Sequence, residues 1–339
     1  MKPEIKVPSF EELKKKSRKK RGSEPGRKGR VPVATTEEVR KRRISEQINA
    51  VIKKFQNKKR SGLYLDEVNK KAESLYRYAS LQGQYGKIRA AIKNFQAAIK
   101  EEPAFIEAHH NLGLGFAKLG NMQQALREFL LTLKFDPGYP EVYLNLGILL
   151  WNEKEIREAV NLFKRVVSIE VNHKIARFYL GQAYQILGNT EEAIKQFRYY
   201  NQLDDFNADS HFRLGWLYFV SGLFPAAKKE FNRTITIDEN APLAYYNLAL
   251  IYQQEGDVNK AEKYFKDVLK YDPNHFDALV ALGDIYFERK EYMSSLNNYN
   301  VALVIVADDK YCKSQVQKIK LILEKGGYKS AEKQGNSKK

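Results

Sequence analysis

The sequence predicts an all-α solenoid of about seven stacked helical hairpins, and three observations predict it. Small residues recur every 34 positions, at Ala91, Ala125, Ala159, Ala193, Ala227, Ala261 and Ser295. Four residues after each stands an aromatic ring: Phe95, Phe129, Phe163, Phe197, Phe231, Phe265 and Tyr299. Upstream, the leucine column Leu112, Leu146, Leu180, Leu214, Leu248 and Leu282 is followed each time by Gly, or by Ala249 in one case. A fixed period of this length marks stacked supersecondary units, none of which buries its apolar face alone.

Counting units from residues 72, 106, 140, 174, 208, 242 and 276, the recurring residues of the first helix (helix A) fall at unit positions 4, 7, 8 and 11. These spacings share one helical face. The second helix (helix B) repeats at positions 20, 24 and 27. Small residues at positions 8 and 20 let the two axes approach, and the ring at position 24 fills the space beside them. Turns between the helices carry Gly-Asn, Gly-Asp or Lys-Glu, and joints such as Asp136-Pro137 and Asp272-Pro273 are stop and start signals.

These residues resemble the tetratricopeptide repeat over about residues 72–309, within a solenoid region spanning 61–309. The match includes an aromatic at position 11 (Phe116, Tyr184, Tyr218, Tyr252, Tyr286), Gly at the inter-helix turn (Gly86, Gly120, Gly188, Gly222, Gly256) and a closing Pro (Pro103, Pro137, Pro273). Val171, Asp205 and Glu239 depart from that proline, and Ala79 and Gln82 from the usual Gly and Tyr. The resemblance implies a right-handed superhelix whose concave face is lined by helix A at positions 2, 5, 6, 9, 12 and 13. It further implies that Asn at position 6 (Asn111, Asn145, Asn247) aligns the backbone of an extended peptide. The neighbouring columns are rich in large apolar side chains: Leu144, Phe178, Phe212 and Tyr246 at position 5, Leu114, Ile148, Trp216 and Leu250 at position 9, where Gln182 and Asp284 also stand, and Trp151 and Phe219 at position 12. Such a groove suits an apolar peptide or helix, unless curvature and neighbouring units shield it. The carboxylate clamp of the family's chaperone-tail binders is not matched, since His110, Leu114, Ile175 and Tyr179 stand where it needs Lys, Asn and basic residues.

The net charge of +17 is unevenly placed: residues 1–60 carry 21 Lys and Arg against 7 Glu. Residues 1–35 have the composition of a disordered tail. It holds the basic run Lys14, Lys15, Lys16, Arg18, Lys19, Lys20 and Arg21. That run is compatible with a solubilising tail, a nuclear import signal, or salt-sensitive, sequence-blind contact with RNA, the ribosome or an anionic membrane. Residues 36–60 form a basic amphipathic helix capped by Thr36, with Ile44, Ile48, Val51, Ile52 and Phe55 on one face. It is expected either to cap the first unit or to lie on a membrane. A helix over 310–325 is expected to cover the seventh unit, before a polar tail at 326–339.

Nothing in the pattern points to catalysis, a cofactor or a metal. His109 and His211 share position 4, where Tyr143 and Tyr245 also occur, so a packing role is expected. No Cys-His spacing suits a metal, and the Gly-x-Gly at Gly113 and Gly115 lies inside helix A, without the strand a dinucleotide site needs. A single Cys, Cys312, and the lack of a membrane-length apolar run or a signal-peptide core near the start predict a cytoplasmic protein. The expected role is a non-catalytic adaptor binding a peptide or helix in its groove. The alternative is an electrostatic binder acting through residues 1–60.

Overall fold

The computed structural model describes the backbone of residues 36–55 and 57–325 and the side chains from Ile44 onward, residue 56 excepted. Helix A of the seven units is α2 (Lys70–Gln84), α4 (Ile106–Lys118), α6 (Pro140–Asn152), α8 (Lys174–Leu187), α10 (Ala208–Val220), α12 (Pro242–Gln254) and α14 (Phe276–Glu288). Helix B is α3 (Ile88–Glu101), α5 (Met122–Phe135), α7 (Ile156–Ile169), α9 (Thr190–Leu203), α11 (Phe224–Ile237), α13 (Val258–Tyr271) and α15 (Tyr292–Ile305). Helix α1 (Thr36–Phe55) precedes them and α16 (Lys310–Lys325) follows. From α2 to α16 each helix packs on its neighbours in sequence, the pattern of an all-α repeat solenoid.

Within a unit the contact is a glycine against a ring. A Cβ at Gly113 would lie 2.7 Å from Phe129, at Gly147 2.5 Å from Phe163, at Gly181 2.8 Å from Phe197, and at Gly283 2.7 Å from Tyr299. The rings of Phe163, Phe197, Phe231, Phe265 and Tyr299 are fully buried, so none can swing aside. Every A helix ends in a left-handed residue, closed by a pair of backbone bonds. In unit two, Gly120 N–H donates to Ala117 O at 3.0 Å and Asn121 N–H to Phe116 O at 2.9 Å. Five units place Gly there, but units three and seven place Lys154 (φ 66°) and Lys290 (φ 64°).

The two ends of the stack differ. At the C-terminal end, Cys312, Val316 and Ile319 of α16 pack on Leu279, Tyr299 and Ala302. The Cys312 thiol is buried, and burial with neighbouring Asp309 pushes its pKa up to about 12. At the other end, Tyr78 and Leu81 of α2 and Tyr85 just after it are exposed. The expectation that the basic amphipathic helix caps unit one is corrected here. Its described end lies along helix B of unit two, where Val51 and Phe55 share a cleft of about 380 Å³ with Leu126, Leu130 and Leu131. The reason is the link that follows it. Residues 61–65 run extended along the joints of the first units: Ser61 N–H donates to Phe135 O (2.7 Å), Leu63 N–H to Ala104 O (2.9 Å), and Leu63 O accepts from Ile106 N–H (3.0 Å). Gly62 does more than stop a helix, because a Cβ there would sit 2.5 Å from Ile106.

Two expectations follow. Gly147→Leu overpacks a contact that has no room, and a loss of more than about 2 kcal/mol in urea unfolding is expected, since overpacking outweighs the helix propensity gained. Lys154→Gly relieves a left-handed non-glycine residue and should raise stability by about 1 kcal/mol in the same measurement.

Candidate interaction surface on the helix A columns

The three asparagines at position 6 are already engaged. Asn111 Nδ2 donates to Tyr76 Oη of the preceding unit at 2.7 Å, and Asn145 Nδ2 lies 2.8 Å from His110 Nε2 of the preceding unit. Asn247 donates to Leu243 O one turn back at 2.7 Å and is only 8 % exposed. The half-buried side-chain amides of Asn111 and Asn145 thus tie neighbouring units together.

The apolar columns stand differently along the chain. Leu144 is buried, at 8 % exposure, and Gln182 at position 9 is buried as well. Leu114, Ile148, Trp151, Phe178, Phe212, Trp216, Phe219, Tyr246 and Leu250 are all half-buried. Trp151 meets Tyr179 edge-on with ring centroids 5.6 Å apart, and Tyr179 stacks on Phe163 at 5.1 Å. Phe212, Trp216 and Phe219 pack on the core formed by Ala227, Phe231, Leu248 and Ile251. Tyr246 and Leu250 lean on the next core, around Phe265 and Leu282, and burial pushes the Tyr246 phenol up to about 12. Four residues that sequence reasoning did not single out for the groove flank this band with side chains in solvent: Ile175 and Leu243 at position 2, Ile186 and Val220 at position 13. The signal was present, since positions 2 and 13 are among the columns that the resemblance assigns to the concave face and the residues there in these units are apolar.

Charge enters the band at one point. Arg213 is half-buried, donating to Asp209 (2.9 Å) and Gln185 (3.4 Å), with its guanidinium 6.0 Å from the centre of the Phe178 ring. Position 2 is acidic in five units, at Glu73, Glu107, Glu141, Asp209 and Asp277; Glu73 likewise pairs with Arg77 one turn on, and Glu107 accepts from Leu65 N–H at 3.1 Å.

All five histidines have structural partners. His109 lies between Glu128 (2.7 Å) and the Pro103 carbonyl (3.0 Å), and Tyr143 at the same position donates to the Pro137 carbonyl at 2.8 Å. His211 repeats the contact with Glu230 at 2.7 Å. His173 and His275 accept from Ala176 N–H and Ala278 N–H, capping α8 and α14. Among the described residues no three His, Cys, Asp or Glu side chains are grouped to hold a metal ion. The basic run Lys14–Arg21 lies outside the described residues.

Residues 242–275 match a family model of the tetratricopeptide repeat, and residues 76–140 and 144–208 match a second such model. The chain is a tetratricopeptide repeat protein. The C-terminal part of a TPR repeat-containing protein from Cytophaga hutchinsonii superimposes with a TM-score of 0.60 at 14 % identity, covering 71 % of this chain and 99 % of that one. That likeness shows the fold. YrrB, described as a TPR protein with an unusual peptide-binding site, gives a TM-score of 0.49 at 21 % identity over 56 % of this chain and 97 % of its own. MamA gives 0.45 at 26 % identity over 48 % and 95 %. No curated protein matches this tetratricopeptide repeat protein in sequence.

One buried group sets a pH dependence. Burial lowers the His110 pKa from 6.5 to about 4, so the folded protein holds the ring neutral while the unfolded chain protonates it. Its contribution is complete above pH 6.5 and is lost as pH falls toward 4, on the order of 3 kcal/mol across the window. Urea unfolding at pH 7 and pH 4.5 should show a smaller acid loss in His110→Gln than in the wild type.

Proposed function

We propose that this tetratricopeptide repeat protein is a non-catalytic interaction scaffold that holds an apolar peptide or helix against the helix A columns of units four to six. One observation carries the reading: half-buried Phe178, Phe212, Trp216, Phe219, Tyr246 and Leu250 form a floor, and exposed Ile175, Ile186, Val220 and Leu243 rise beside it. Solvated apolar side chains beside partly covered aromatics suit an amphipathic segment laid in a groove, which would complete their burial. Trp151 with Tyr179 offers a second anchor toward unit three. Because Asn111, Asn145 and Asn247 are engaged within the fold, affinity in this reading comes from side-chain burial more than from clamping the ligand backbone.

A second mode rests on charge. The basic residues concentrated in 1–60 suit anionic surfaces such as RNA, the ribosome or acidic lipid. Salt separates the two modes, because polyanion binding collapses as ionic strength rises whereas apolar docking weakens little. No helix among the described residues is long and apolar enough to cross a membrane.

Apolar helical peptides selected from a displayed library against the full chain provide the test. Trp216→Ala should weaken them by about 2 kcal/mol or more, as expected of a hot spot. Ile186→Asp, at an exposed site, should weaken them without lowering the melting temperature. Retained affinity in both variants rules the surface out.

A further inference from the structure

The outer face of the last B helix differs from all the others. Helix α15 has no charged residue in its 14 positions, in a chain that is 29 % charged. In five of the other units position 22, which faces solvent, is held by Lys93, Arg127, Lys195, Lys229 and Lys263; in unit three it is Asn161, on a helix that carries Arg157, Glu158, Lys164 and Arg165, and in unit seven it is Asn297. At position 29, Lys100, Lys134 and Lys270 give way to Val304, which is 85 % exposed, and at position 18 stands Met293, 66 % exposed. Met293, Asn297, Asn300, Val301 and Val304 follow one another at spacings of three or four or on adjacent positions, so they form a single stripe along a helix about 20 Å long. Helix α16 does not cover this stripe: it packs through Cys312, Val316 and Ile319 on Leu279, Tyr299 and Ala302, and leaves Val301 and Val304 in water.

We propose that this stripe is the contact between two copies of the chain, packed α15 against α15 about a two-fold axis. A two-fold contact sets a patch against itself, so a charged side chain near the axis faces its own twin. Like charges directly opposed oppose pairing, and the lysines at position 22 impose that penalty on the outer faces of the other B helices that carry them. Helix α15 is free of it. Asn297 and Asn300 also suit a self-contact, because a carboxamide carries both donor and acceptor and can pair with its own copy, which an ammonium cannot do. A strongly acidic or basic partner would find no opposite charge to read on this helix. The chain's own residues 326–339 are no substitute, since their only apolar side chains are Tyr328 and Ala331.

The test is the mass of the full chain in solution, by sedimentation velocity and light scattering up to about 100 µM, the range in which a modest interface forms. The wild type should pass from one chain to two, and Met293→Lys with Val304→Lys should weaken that association at least about tenfold while leaving the thermal melt unchanged, both sites being solvent-exposed. A cysteine placed on the stripe supplies a second readout. Asn297→Cys should form a covalent dimer on mild oxidation, and Lys263→Cys, its equivalent on unit six, should not. A wild type that stays a single chain, a dimer unaffected by the paired lysines, or cross-linking through residue 263 instead of 297 overturns the proposal. So does a mixed complex that covers Met293 and Val304 with a different polypeptide while the chain alone remains monomeric.

Discussion

The close approach of helix A to helix B within each unit governs the rest of the molecule. It is possible only because position 8 is small, so that the ring at position 24 can lie where a larger side chain would stand. Gly147 against Phe163 is the tightest case, and the same pairing recurs through Gly283 and Tyr299. In units one and six Ala79 and Ala249 stand at this place, both fully buried. Once the hairpin is closed, each unit presents one face to the unit before and another to the unit after, and stability accumulates by nearest-neighbour terms.

Polar residues inside the stack follow from the same economy of space. Polar side chains inside the stack draw on the few atoms at hand, and several of those partners lie in the adjacent unit or the joint leading to it. His109 and Tyr143 reach the carbonyls of Pro103 and Pro137, and Asn111 and Asn145 reach Tyr76 and His110. These bonds hold successive units in register. They also use up groups that, read from the pattern alone, look available for a ligand.

The apolar surface left in solvent is not spread evenly. Packing within and between units constrains positions 7, 8, 20 and 24, but leaves the outward columns of both helices free to vary without cost to the stack. Units four to six use that freedom on helix A, with Ile175, Ile186, Val220 and Leu243; unit seven uses it on helix B, with Met293 and Val304. The two surfaces belong to different helices of different units, so each can change without disturbing the other.

The 34-residue period determined the fold class, the number of hairpins, the hairpin turns and the buried column of rings, because each is set by contacts within a unit or between identical neighbours. The columns facing away from that packing could likewise be counted off, which is why Phe178, Phe212 and Trp216 were recognisable as candidates. How far each is covered could not be, because cover depends on the length and direction of side chains in the next unit. Leu144 and Asn247 are closed over, whereas Leu250, on the same turn of helix as Asn247, is only half closed. The path of residues 61–65 and the seat of Val51 and Phe55 beside helix B of unit two belong to tertiary structure alone. They rest on backbone hydrogen bonds between segments about forty and seventy residues apart, such as Leu63 with Ala104 and Ser61 with Phe135, and no local pattern encodes such a pairing.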